Sequence, residues 1–286
     1  MTMNALRKKA SAWALCSVFS AGLFLGLTPQ PLPAQSDAAA PEVSRINGRY
    51  FGKMAIDFGK IVISPIHWKG QDIDRLITAS GVTLVLFGLD HGVRQWVERH
   101  DTFNSAKLSL AITRLGEGPF LLGLMATMYI GGEAFKEDSL RKTALMSLES
   151  FAIGGVIVTG LKFILGRRRP LVGNGPLDFN FFSFKIADST HSFPSGHSVS
   201  AFAVASVIAG QSDNPVVGAV SYGLASLVAF SRINNNAHWI SDVFVGSLLG
   251  YFIGKKVLAL NRPSTTNKPT LSFAPGPGGF SLSLRF

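Results

Sequence analysis

The sequence predicts an all-α protein: a helical bundle of about six core helices, embedded in a membrane, with a small β-hairpin at its carboxyl end. Three observations predict it. The 286 residues are 47% hydrophobic and only 15% charged, with 22 Phe and a mean hydropathy of +0.29, more apolar and less charged than an ordinary soluble domain. Apolar runs of helical length recur along the middle of the chain. Near the end, Phe280, Leu282, Leu284 and Phe286 alternate with polar residues, the period of a strand with one apolar face.

Residues 1–34 read as an export signal. Arg7, Lys8 and Lys9 make a positive start, Ala10 to Leu27 is apolar, and "TPQPLPA" offers Ala34 for cleavage before Gln35. An uncleaved anchor is the alternative. Cys16 follows Leu15, not the small residue that lipid modification normally requires, so lipidation is rejected. A chain cleaved here has no cysteine, hence no disulfide, thiol nucleophile or thiolate metal site. The net charge is +10, of which the signal supplies three positives and no acids, leaving +7. A basic balance suits nucleic acid, an anionic membrane surface or a phosphorylated substrate. Export to a bacterial cell envelope argues against nucleic acid.

Residues 35–71 are a polar lead, with "SDAAAPEVS" as its flexible part. The core, 72–260, holds candidate apolar helices at Leu76–Leu89, Phe120–Phe135, Leu145–Leu165, Ser198–Ile208, Val216–Phe230 and Val243–Leu258. Between the first two, "HGVRQWVERHDTFNSAKLSLAITRLGEG" has helical spacing and a charged face. "LVGNGPLDFNFFSF" is a loop. Residues 261–286 are a polar linker and the hairpin. A spanning helix needs about 20 apolar residues, and Leu76–Leu89 is short of that. Letting it pack without crossing reconciles the Lys255, Lys256, Arg262 and Lys268 cluster with a cytoplasmic end. It turns the arginine cluster after Leu165 toward the periplasm; a fully periplasmic bundle is the other solution.

Three stretches carry chemistry. In "GLKFILGRRRPL", Lys162 and Arg169 are seven residues apart and so lie about 20° apart on one helical face. Pro170 ends the helix there. Two cations on one face at a helix end can receive an anion, with guanidinium matching phosphate oxygens; positive-inside anchoring explains "GRRRP" equally well. In "HSFPSGHSVSAF", Pro194 and Ser195 precede a helical run whose first N–H groups are unpaired. Ser195 is a helix cap or an anion ligand, Gly196 admits close approach, and His197 projects from the first turn or is structural. In "SRINNNAHWISDVF", Arg232 closes one helix, the asparagines turn the chain, and His238 and Asp242 share one face of the next. That pair is an ordinary i,i+4 contact or an oriented imidazole.

The combined pattern is Lys-x6-Arg-Pro, then Pro-Ser-Gly-His, then Ser-Arg-x5-His-x3-Asp. Over about Leu76 to Leu258 the chain resembles the type 2 phosphatidic acid phosphatase superfamily, which includes membrane lipid phosphatases, soluble bacterial acid phosphatases and vanadium haloperoxidases. The resemblance implies a metal-independent phosphatase acting on a phosphomonoester or diphosphate, borne on a lipid, through a phosphohistidine. It implies His238 as nucleophile, Asp242 as the group that orients it, and His197 as general acid. Lys162, Arg169, Ser195, Gly196 and Arg232 would bind the phosphoryl oxygens. It implies no metal and no cofactor, with vanadate as a transition-state-like inhibitor. In the alternative, a vanadate-dependent haloperoxidase, vanadate is the cofactor; a soluble periplasmic acid phosphatase is the other. The partners implied are a lipid phosphate and the membrane. Arg167 and Arg168 fall outside the motif and are left as anchors or headgroup contacts. The Phe179, Phe181, Phe182 and Phe184 cluster packs on itself, covers the site or touches an acyl chain.

Overall fold

Glycines on one helix set the packing at the centre of the bundle. The computed structural model describes residues 45–100, 102–172, 175–184, 188–262, 270–276 and 279–285. Its helices are α1 (Gly48–Ile63), α2 (Gly70–His100), α3 (Phe103–Arg114), α4 (Gly118–Ala134), α5 (Asp138–Leu165), α6 (Gly196–Gln211), α7 (Pro215–Asn234) and α8 (Ile240–Leu260). Short 3-10 turns at Ser64–His67 and Asp188–Thr190 join them. The expected signal (1–34) and most of the expected linker lie outside the described residues.

α6 is the central helix. Val199, Ala203 and Val207 are fully buried and Phe202 nearly so, because α5, α7 and α8 all pack on it. A helix buried on every side is apolar all round. Along α8, Gly246, Gly250 and Gly254 recur at four-residue spacing and face α6. A Cβ on them would lie 2.6 Å from Ser195 O, 2.3 Å from Val199 O and 2.6 Å from Ala203 O. No side chain fits, so the two backbones touch, as in small-residue stripes of membrane helices. This contact fixes the register of α8 against the start of α6.

Other ends follow ordinary rules. Gly166 takes a left-handed φ of 56° just past α5, its N–H donating to Lys162 O at 2.8 Å. Asn214 caps α7, accepting from Val216 N at 2.9 Å, with Pro215 first in the helix. Thr102 and Ser105 form a reciprocal capping box on α3.

Among the described residues, four helices are long and apolar enough to cross a membrane: α2, α5, α7 and α8. Their outward faces are oily, with Leu76, Ile77, Leu84 and Val85 exposed on α2, and Val216, Val220 and Leu224 on α7. The premise that Leu76–Leu89 is too short to cross does not hold for α2. Its apolar run is continued by the charged stretch behind it, giving 31 residues, about 46 Å at 1.5 Å per residue. The expected polar lead also differs, since its second half is α1. That helix turns polar groups inward, with a Lys53–Asp57 pair and Tyr50 Oη donating to Leu145 O at 2.9 Å. Phe51, Ile56, Val62 and Ile63 point outward. At the carboxyl end, β1 (Thr270–Gly276) and β2 (Gly279–Arg285) pair antiparallel, with Phe273 opposite Leu282.

Candidate active site

The antiparallel helices bring four ends together: the carboxyl ends of α5 and α7 and the amino ends of α6 and α8. Lys162 is in the last turn of α5 and Arg232 in the last turn of α7. Gly196 and His197 open α6, and Asp242 is in the first turn of α8. Motifs scattered over some 80 residues of sequence therefore meet at one end of the bundle.

His238 precedes α8 and is 2% exposed. The Asn turn before it puts Asn236 at a left-handed φ of 51°. The turn closes with Ala237 N and His238 N both donating to Arg232 O, at 3.1 and 3.3 Å. Arg232 and His238 are thereby tied to one carbonyl. His238 Nδ1 lies 3.6 Å from Asp242 Oδ2, long for a direct hydrogen bond, and 3.4 Å from Ser192 Oγ. Ser192 Oγ in turn donates to Asp242 Oδ2 at 2.5 Å. Asp242 Oδ2 also accepts from Trp239 N at 2.9 Å. The imidazole is thus held by Nδ1, and Nε2 is the nitrogen left for chemistry.

Ser195 stands in the cap position of α6 but its side chain makes no capping bond. Its N–H donates to Asp242 O at 3.0 Å, joining α6 to α8. Its Oγ accepts from Ser198 Oγ at 3.0 Å, which leaves the Ser195 hydroxyl proton to donate. Lys162 Nζ lies 3.6 Å from the point a Cβ on Gly196 would occupy, so the ammonium and the first N–H groups of α6 face the same space. His197 Cδ2 sits 3.5 Å from the corresponding point on Gly116, in the turn before α4. Arg169 donates its N–H to Ser189 O at 3.0 Å. Arg232 Nη1 lies 3.4 Å from Thr113 Oγ1.

The two histidines feel this gathering of charge. Burial, then repulsion from Arg232, His238, Lys162 and Arg169, pulls His197 down to about 3. Burial brings His238 down to about 4, against the pull of Asp242 and with repulsion from Lys162 and Arg169. The space between them is electropositive while both imidazoles are neutral, a fitting host for an anion.

Three residues with no assigned role belong to this assembly. Ser192 bridges His238 and Asp242, as described above. Arg167 is completely buried, which corrects its reading as an anchor or headgroup contact. Its Nη1 donates to Asp242 Oδ1 and, at 2.7 Å, to Ser241 Oγ. Its Nη2 donates to Asp90 Oδ2 at 2.6 Å. Asp90, from α2, also accepts from Ser241 N at 3.0 Å and Ser241 Oγ at 2.7 Å. The chain signal for Asp90 was an acid directly after an apolar run, with nothing to name its partner. Arg168, by contrast, is partly exposed and lies 3.6 Å from Asp178.

Comparison with known proteins finds several likenesses. The PAP2 superfamily model matches residues 143–265, a span that holds all three motifs. A lipid A 1-phosphatase from Porphyromonas gingivalis is 30% identical over 147 residues, half of this chain and 30% of the relative's length. Among solved structures, a transmembrane PAP2 type phosphatidylglycerolphosphate phosphatase from Bacillus subtilis is 22% identical. It covers 65% of this chain and 94% of its own, with a TM-score of 0.52. Aquifex aeolicus LpxE is 24% identical over 59% of this chain and 94% of its own, with a TM-score of 0.48. Through residues 143–265, with the three motifs at one end of the bundle, this chain is similar to the PAP2 superfamily.

Proposed function

We propose that the chain is a metal-independent phosphatase that hydrolyses a phosphomonoester or diphosphate on a lipid, through a phosphohistidine. The observation that carries the reading is the convergence of a buried imidazole, His238, linked to Asp242 through Ser192, with Lys162 at the end of α5 and Gly196 and His197 at the start of α6. His238 Nε2 attacks phosphorus and the ester P–O bond breaks. The leaving alkoxide takes a proton from His197. His197 then takes a proton from water, whose oxygen attacks phosphorus; the P–N bond breaks, releasing phosphate and restoring His238. Lys162, Arg169, Arg232, the Ser195 hydroxyl and the Gly196 N–H hold the oxygens as charge builds in the transition state. Burial, with repulsion from the same cations, keeps His197 neutral before phosphate arrives. An arriving phosphate offsets them, which restores the proton the step needs.

Two features favour a lipid substrate. The site lies at the end of helices long and apolar enough to cross a membrane, and the curated relative acts on lipid A at its 1-phosphate. In this reading the site faces the periplasm. Lys69, Arg75, Lys136, Lys142, Lys256 and Arg262 at the far end of the bundle support it, since loops rich in Lys and Arg tend to stay in the cytoplasm; the cations at the site end belong to the phosphate cradle in the same reading.

The test is phosphate release from a panel of lipid and soluble phosphates in excess EDTA, comparing purified wild type with His238→Ala. EDTA-resistant release that disappears in the variant supports the reading, and the panel ranks the substrates. Release abolished by EDTA and restored by a divalent metal would contradict it.

A further inference from the structure

We infer that Arg167 and Asp90 form a charge-balanced pair that positions Asp242 for its work on His238. The inference rests on the phosphohistidine reading above. Arg167 is enclosed by rings, its guanidinium carbon lying 4.6 Å from the Phe87 ring centre, 5.4 Å from Phe179, 5.4 Å from Trp239 and 5.9 Å from Phe193. Such packing keeps water out, so the guanidinium must meet its donors' needs inside the protein. It does so with two carboxylates, the Ser241 hydroxyl and the Pro176 carbonyl, which accepts from Nε at 2.9 Å and from Nη2.

The division of Asp242's oxygens is the telling feature. Arg167 takes Oδ1. Oδ2 is left to Ser192, Trp239 N and His238. The carboxylate therefore cannot swing, and one lone-pair face stays aimed at Nδ1. A guanidinium bound to Asp242 alone would also cancel the charge that steadies a forming imidazolium. Asp90 removes that difficulty. Its Oδ2 takes the other arm of the guanidinium, and Ser241 ties Asp90 to Arg167 a second time by donating to Asp90 while accepting from Arg167. Asp90, Arg167 and Asp242 together carry one net negative charge beside His238. Arg167 sits five residues past Lys162, so one stretch of chain supplies the phosphate's cation on one side and the acid's clamp on the other.

Removing Arg167 alone would leave two buried carboxylates facing each other, so the informative variant removes both charges: Arg167→Met with Asp90→Leu. If the pair only holds the fold, this neutral replacement folds and turns over normally. The positioning role predicts a folded protein with a normal melting point, kcat down about 10–100-fold and KM within about 3-fold. Inhibition by vanadate, which imitates the transition state, should weaken in step with kcat, while inhibition by inorganic phosphate should not. Arg167→Lys, which keeps the charge but reaches one acid at a time, should fall between. A folded double variant with wild-type kcat, or one whose vanadate and phosphate inhibition move together, overturns the inference. If the double variant does not fold, Arg167→Lys decides, and an unchanged kcat there overturns it equally. His238→Ala belongs in the same series. Turnover surviving in it brings down the phosphohistidine reading and the positioning role together, whereas loss there with an intact double variant brings down only the positioning role.

Discussion

Gly250→Ala adds one methyl group, and the structure says how far that methyl must push. Its carbon would lie 2.3 Å from Val199 O and 3.0 Å from Ala203 N, both backbone atoms of α6 that no rotamer change can move. Ordinary carbon–oxygen contacts begin near 3.3 Å, so α8 and α6 must part by about 1 Å. Overpacking of this kind costs about 1–3 kcal/mol, or roughly 3–10 °C of melting temperature for a chain of this size. The same two helices carry the site: Asp242 O accepts from Ser195 N at 3.0 Å, about 12 Å along α8 from Gly250. A displacement near 1 Å at a catalytic constellation costs about 100-fold. Melting in detergent and kcat/KM on a lipid phosphate, measured beside Gly155→Ala, give the comparison. Gly155 has open space where its Cβ would go and should behave as wild type. A Gly250→Ala protein with wild-type melting and turnover would refute the close-packing argument.

Other outcomes follow from the same geometry. Gly166→Ala should impair folding, because φ is 56° and the new Cβ would lie 1.9 Å from Asn180 O; expression and melting report it. Acid should destabilise the protein through its histidines. Both are depressed when folded, to about 3 for His197 and about 4 for His238, against about 6.5 when unfolded. The unfolded chain therefore binds more protons below pH 6.5, and stability present above that value is lost as pH falls toward 4. Melting temperature between pH 7 and 4.5 should drop, and drop less when His197 and His238 are both replaced by Asn. Phe182 and Phe184 are exposed beside the site. Replacing both with Ser should lower turnover of long-chain lipid phosphates several-fold and leave a short-chain water-soluble phosphate unaffected, as the ratio of the two kcat/KM values would show.

Much of the fold could be read from period and composition, since the apolar runs at 120–135, 145–165, 216–230 and 243–258 each fall within a helix or overrun it by a single residue. α2 was underestimated because its carboxyl third is charged on one face, which hid that its other face, with Val93, Trp96 and Val97, continues the same helix onto the core. The motif residues that meet at one end of the bundle were legible because each motif is fixed by local spacing, such as four residues from His238 to Asp242. Arg167, Asp90 and Ser192 were not. Their meaning lies in contacts over 46 to 151 residues of separation, and no local pattern marks an acid on one helix as the partner of an arginine beyond another. Arg167 in particular sits among two other arginines, and only burial separates it from its partly exposed neighbour Arg168.

The central claim is that His238 carries the phosphoryl group, and it has a direct test. His197→Ala should be mixed with p-nitrophenyl phosphate, whose leaving group needs no proton, and quenched in alkali within the first turnover. Without His197 to activate water the intermediate should accumulate, giving alkali-stable, acid-labile phosphate on the peptide that contains His238. Normal release of p-nitrophenol with no phosphate on that peptide would contradict the account.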